Sequence, residues 1–357
     1  MKGPGRVKRG LLRTAAATVD RAVVAAIQMS NARVRARAEA LPHAERIEKL
    51  AAVRAMYGAP DLLSDREAFF PRPPAVRPRV RHVRALAWGG ECVEASWESA
   101  CEPHEPTVRE RYRAHVANRT AHARIYGARA GAGRPAVIVV HGYLSGQWAV
   151  EERAWPIRWL NTRGLDVAVT VLPFHGVRGL AGGGAPPFPG ADPRFTNEGF
   201  RQAVADLRVL IALLRERGAP RVGIMGMSLG GYTTALMATL EADLAFAAPL
   251  IPLASVADFA RDQGRLGRGP QMQEQHAALE AANLVVSPFA RPSLVPPERV
   301  LVVGAEADRI TPVAHAERLA SHLGVQLTRV GGGHLLQVWR REAFRALRTM
   351  LQKNGIV

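Results

Sequence analysis

Lysine is almost absent from this chain. It occurs four times in 357 residues, so 44 of the 48 basic side chains are arginine. A formal net charge of +17 would ordinarily point to nucleic acid or an anionic membrane. Arginine in such excess, in an alanine-rich chain, reads instead as the codon bias of a GC-rich genome. Aromatic residues are also scarce, at 6%, and do not interleave with basic residues as RNA-binding sheets require. Nucleic acid is therefore not an expected partner. Cysteine is limited to Cys92 and Cys101, which excludes a disulfide framework and a zinc cluster. Long apolar runs are missing near the N-terminus. The stretch Ala22–Ile27 is too short for a signal sequence or a membrane span, so the expected compartment is the cytoplasm.

Hydrophobic residues make up 48% of the chain, ample for a large core. Residues 11–57 have helical spacing, broken near Pro42, with Leu11, Ala15, Val19, Val23 and Ile27 on one stripe. Arg13, Arg21, Arg33, Arg35 and Arg37 fall on the other face, and residues 1–60 carry a net +8. Two readings follow: peripheral contact with an anionic membrane, or a helix packed on the main domain with a solvated basic face. The weakly hydrophobic, alanine-rich stripe favours the second.

The expected organisation is a basic helical extension over 1–70, then a linker and leading strands over 71–135. A catalytic core follows over 136–357, with a small helical cap at 250–298. The proline-rich 71–80 cannot form a regular helix, and short strands are expected around 81–88, 92–99 and 109–127. Beyond Pro135, apolar strand-like runs at 136–140, 166–172, 221–227, 243–251, 299–304 and 325–330 alternate with helical patterns at about 149–163, 197–217, 229–241, 312–323 and 337–352. This predicts an α/β fold, a mostly parallel central sheet with helices on both faces. Functional residues should then lie at the carboxyl ends of strands. The Gly/Pro-rich stretch 179–193 is either a flap near the site or a floppy insertion.

The strongest motif is Gly226-Met227-Ser228-Leu229-Gly230 between an apolar strand and a helix. In that context G-x-S-x-G forms a sharp turn that lifts the serine hydroxyl above the sheet. A serine hydroxyl needs a base, and the base needs an orienting acid. Asp308 follows one strand in Glu306-Ala307-Asp308-Arg309-Ile310-Thr311-Pro312, and His334 follows the next in Gly331-Gly332-Gly333-His334. Ser228, Asp308 and His334 are thus predicted at one edge of the sheet as nucleophile, acid and base. Glu306 is the competing acid. His315 and His322 read as surface positions on a helix. The strand ending in His141-Gly142-Tyr143 offers the Tyr143 amide to an oxyanion, with the Leu229 amide as the second donor. His141 reads as a turn-stabilising residue more than a base, and with Gly142 it is placed beside the substrate.

These residues resemble the α/β-hydrolase superfamily over about 80–352. The resemblance rests on HGY at 141–143, GMSLGG at 226–231, EADRITP at 306–312 and GGGH at 331–334. It implies a serine esterase or lipase-like hydrolase that works through an acyl-enzyme without metal or organic cofactor. Its substrate would be a small-molecule or lipid ester. A peptidase or amidase of the same architecture and a non-catalytic binding protein are the alternatives. Leu172-Pro173-Phe174-His175-Gly176 resembles a turn in esterase-like and prolyl-peptidase-like members. His175 and Arg178 then either line the pocket, with Arg178 holding a carboxylate or phosphate, or belong to a surface loop of an arginine-rich chain. The sequence does not indicate an oligomeric state.

Overall fold

A computed structural model describes residues 14–21, 25, 41–180, 182, 184–338 and 340–357. Within them, β1 (Arg79–Ala85), β2 (Glu91–Glu98), β3 (Thr120–Gly127), β4 (Ala136–Val140), β5 (Asp166–Thr170), β6 (Val222–Met227), β7 (Ala247–Leu250), β8 (Val303–Ala305) and β9 (Thr328–Val330) form one sheet. Its order is β1-β2-β3-β5-β4-β6-β7-β8-β9. β1, β2 and β3 pair antiparallel, β3 pairs antiparallel with β5, and the rest is parallel. Every residue of β4 is buried, as expected for a central strand covered on both faces. From β4 the chain steps outward to β5 and then crosses back to β6. That reversal opens a crevice above the carboxyl ends of β4 and β6.

The main helices are α1 (14–21), α2 (His43–Tyr57), α3 (Pro193–Glu216), α4 (Leu229–Leu240), α5 (Val256–Asp262), α6 (Gly269–Ala282), α7 (Val313–His322) and α8 (Arg340–Lys353). Two elements depart from the sequence reading. The stretch expected as a strand from 109 is helical over Pro106–Arg113, because Pro106 starts the helix and the Glu105 carboxylate caps the Thr107 amide. The helix expected over 149–163 is split at Pro156 into Trp148–Ala154 and Ile157–Asn161.

The described N-terminal helices, α1 and α2, are packed onto the body. α2 buries Leu50, Val53 and Tyr57. The Tyr57 hydroxyl donates to Glu198 on α3 at 2.8 Å, and Arg46 reaches Gln275 on α6 at 2.7 Å. In α1 the buried face is Ala16, Ala17 and Asp20, whereas Val19 is 43% exposed. The inward face is therefore turned away from the apolar stripe expected there, because the buried Asp20 carboxylate finds amide donors. Leu11, Val23 and Ile27 of that stripe lie outside the described residues, as do Arg13, Arg33, Arg35 and Arg37. No helix among the described residues is long and apolar enough to cross a membrane.

The region between β7 and β8 contains α5 and α6. His315, expected at the surface, is buried: its Nδ1 accepts from Ala254 N–H at 3.0 Å and its Nε2 meets Asp262 at 3.0 Å. It thereby ties α7 to the segment around α5. The Gly/Pro-rich loop is anchored as well. Phe188 is fully buried, edge-on to Phe200 at 4.8 Å. A Cβ on Gly199 would come within 2.1 Å of the Phe188 ring, so glycine there makes the socket for this anchor. Phe188→Ala is expected to destabilise the fold by about 3 kcal/mol. Urea denaturation checks this, and an unchanged unfolding free energy would mean that the loop is not anchored through Phe188.

Candidate active site

Ser228 stands at the junction of β6 and α4 with φ 56° and ψ −115°. A non-glycine residue holds that backbone conformation only when its surroundings impose it. The surroundings do so here. The Ser228 N–H donates to Leu250 O at 3.1 Å, and Ser228 O accepts from Tyr232 and Leu253 N–H. A Cβ on Gly226 would lie 2.3 Å from Gly230 O, and one on Gly230 would lie 2.1 Å from Val140 O. The two flanking glycines are therefore steric requirements of the turn.

The loops after β8 and β9 bring Asp308 and His334 together. His334 Nδ1 lies 2.7 Å from Asp308 Oδ2, and both residues are buried. The other carboxylate oxygen accepts from the Ile310 and Thr311 amides, each at 2.8 Å. Thr311 Oγ1 lies 3.1 Å from both Asp308 Oδ2 and His334 Nδ1, and donates to Ile251 O at 3.1 Å. A carboxylate held this way stays in place without losing its acceptor capacity. Because Oδ2 accepts, Nδ1 carries the proton and Nε2 is left to act as a base. Burial pushes the His334 pKa down; the charge and hydrogen bond of Asp308, with Asp20 behind them, more than reverse this. Its pKa lies above the ordinary histidine value. Glu306, the competing acid, is exposed.

The segment after β4 faces the serine. A Cβ on Gly142 would sit 3.6 Å from Ser228 Cβ. Among the described residues, no hydrogen bond engages the Tyr143 or Leu229 N–H groups. Glu151 holds the end of this loop, accepting from Gly146 N–H at 2.8 Å, from Ser145 Oγ and from Trp155 Nε1. Its buried carboxylate was not apparent in the sequence, where it reads as one more polar residue on a short helix.

Of the residues expected beside the substrate, His141 and Arg178 are committed to partners inside the fold. His141 is fully buried: Nε2 accepts from Leu172 N–H at 3.0 Å and Nδ1 donates to Gly142 O at 2.7 Å. Burial lowers its pKa to about 4, so the ring is neutral and braces the turn. His175 is buried with its ring 5.6 Å from that of Tyr143, and burial lowers its pKa to about 3. Arg178 is 1% exposed and paired with Asp206 at 2.8 Å, and it donates to the carbonyls of Val171 and Asn118. Its charge is already met inside the fold, so it does not present an anion-binding group to a substrate. Asp258, His276 and Glu280 bring three potential metal-ligand atoms within 4.8 Å. Arg318 contacts both carboxylates and Arg261 contacts Asp258, so guanidinium groups already supply the cationic charge there.

The geometry pairs His334 with Asp308 and leaves Glu306 at the surface. Asp308→Asn is expected to lower kcat by about 10³-fold or more, and Glu306→Gln by no more than about twofold, on any ester the protein turns over. The opposite ranking would move the acid to Glu306. Because a base must be unprotonated, wild-type kcat/KM should fall as pH drops through a limb above the ordinary histidine pKa of about 6.5. A limb at or below that value would contradict the paired geometry.

Comparison with known proteins agrees with the architecture. Residues 196–343 match the prolyl oligopeptidase family, Peptidase_S9. The chain is 30% identical over 324 residues to the uncharacterized protein Rv2627c of Mycobacterium tuberculosis, covering 88% of this chain and 76% of that protein. Two solved structures share the fold. Acetyl xylan esterase 1 from Thermoanaerobacterium sp. JW/SL YS485 aligns with a TM-score of 0.53 and 18% identity, covering 85% of this chain and 98% of that chain. The acetyl xylan esterase of Paenibacillus sp. R4 aligns with a TM-score of 0.54 and 14% identity, covering 83% and 98%. With its mixed sheet, its strand–serine–helix turn and its match to the prolyl oligopeptidase family, the chain belongs to the α/β-hydrolase superfamily.

Proposed function

We propose that this protein hydrolyses carboxylic esters through an acyl-enzyme on Ser228. The observation that carries this reading is the forced positive φ of Ser228 at the strand–helix junction, beneath the loop of Gly142. His334 takes the hydroxyl proton as Ser228 attacks the ester carbonyl, and the resulting imidazolium is held by Asp308. The Tyr143 and Leu229 amides receive the oxyanion, assisted by the N-terminus of α4. His334 then returns the proton to the departing alcohol. Water repeats the sequence and releases the acid.

Exposed apolar side chains adjoin the reacting groups in sequence. Leu144 follows Tyr143, and Leu335 and Val338 lie just beyond His334; they are 43%, 44% and 47% exposed. They support an ester with an apolar part. Amide cleavage is the second reading, favoured by the match of 196–343 to the prolyl oligopeptidase family. The shared fold with the two acetyl xylan esterases speaks to architecture alone.

A panel of p-nitrophenyl esters from acetate to octanoate, run beside matched p-nitroanilides, separates the readings. Esters should exceed anilides by about 10²-fold or more in kcat/KM, and Ser228→Ala should lose about 10³-fold or more. Faster anilide cleavage would reassign the protein to amide hydrolysis. Full activity in Ser228→Ala would remove Ser228 as nucleophile.

A further inference from the structure

We propose that Asp20, in the N-terminal helix α1, is a positioning residue that clamps the acid-bearing and base-bearing loops together. This rests on the ester-hydrolase reading above for its catalytic meaning, but not for its geometry. Asp20 is fully buried. One carboxylate oxygen accepts from the His334 N–H at 2.8 Å and from the Arg309 N–H at 3.2 Å, and the other accepts from the Leu335 N–H at 3.0 Å. Arg309 directly follows Asp308. A single carboxylate, 314 residues from His334 in sequence, thus joins the backbone beside both partners of the catalytic pair.

The site is built to receive it. A Cβ on Gly333 would lie 2.7 Å from Asp20 Oδ2 and 3.1 Å from Ala16 Cβ, so this glycine and the small side chains of α1 permit the approach. Burying a carboxylate is costly unless its oxygens are hydrogen-bonded, and three converging amides meet that need. Asparagine cannot substitute cleanly, because its NH₂ group would face backbone donors. Among the described residues, the acidic groups facing His334 are Asp308, from the loop after β8, and Asp20, from α1, with the Thr311 hydroxyl beside them. Both negative charges favour the imidazolium, the form that His334 takes once it accepts the serine proton. Helix α1 is therefore a working part of the site.

The test uses full-length protein with ¹⁵N-labelled histidine. The His334 ring is titrated by NMR in the wild type, Asp20→Asn and Gly333→Ala, and kcat and KM are measured on the best ester found. In Asp20→Asn the His334 pKa should fall by about half a unit or more, with kcat reduced about tenfold and KM nearly unchanged. Gly333→Ala, which leaves the carboxylate chemically intact but displaces it, should reproduce the kcat loss. Wild-type titration and kcat in Asp20→Asn would overturn the proposal, even if thermal stability dropped. Global unfolding of both variants would also overturn it, by reassigning Asp20 to maintenance of the fold. The titration needs no substrate, so it decides the role of Asp20 even if no ester is ever hydrolysed.

Discussion

The 2.7 Å hydrogen bond between His334 and Asp308 is the contact around which this site is assembled. A buried carboxylate and a buried imidazole are each costly alone and tolerable only when fully satisfied. The fold meets that condition in layers. Adjacent parallel strands β8 and β9 deliver the two loops side by side. The Ile310 and Thr311 amides occupy the other carboxylate oxygen of Asp308. The result is an imidazole of fixed tautomer whose outer nitrogen can act as a base.

A second constraint sits across the crevice. The reversal of strand order at β4 and β6 puts the Ser228 turn and the Gly142–Tyr143 segment next to each other. Both are held by groups that do no chemistry. Buried neutral His141 braces the loop after β4, Glu151 ties down its far end, and the Arg178–Asp206 pair fastens the segment after β5 to α3. Rigidity is the shared contribution of these buried polar groups. They share little in sequence pattern: His141 and Arg178 work through partners 31 and 28 residues away, whereas Glu151 ties down residues within six of itself.

That difference explains what could be read in advance. The alternation of apolar strands and amphipathic helices from 136 onward is local, so the parallel sheet was readable. The Ser228 turn was readable because its two glycines are demanded by contacts within a few residues and against the neighbouring strand. The pairing of Asp308 with His334 was readable because each directly follows a strand. Arg178 was misplaced because its partner, Asp206, is 28 residues on and looks like any surface acid on a helix. His315 was misjudged because its burial depends on Ala254 and Asp262, 61 and 53 residues away. Asp20 left no signal, since its meaning lies in three amides at the other end of the chain. α1 correspondingly turns a different face inward from the one apolar spacing predicted.

Everything proposed for this site depends on Ser228 being the nucleophile that the His334–Asp308 pair serves. The most direct measurement is peptide mass spectrometry of the native protein after reaction with a fluorophosphonate. One stoichiometric adduct, located on Ser228, is expected. An adduct on another residue, or none while esters are being hydrolysed, would contradict it.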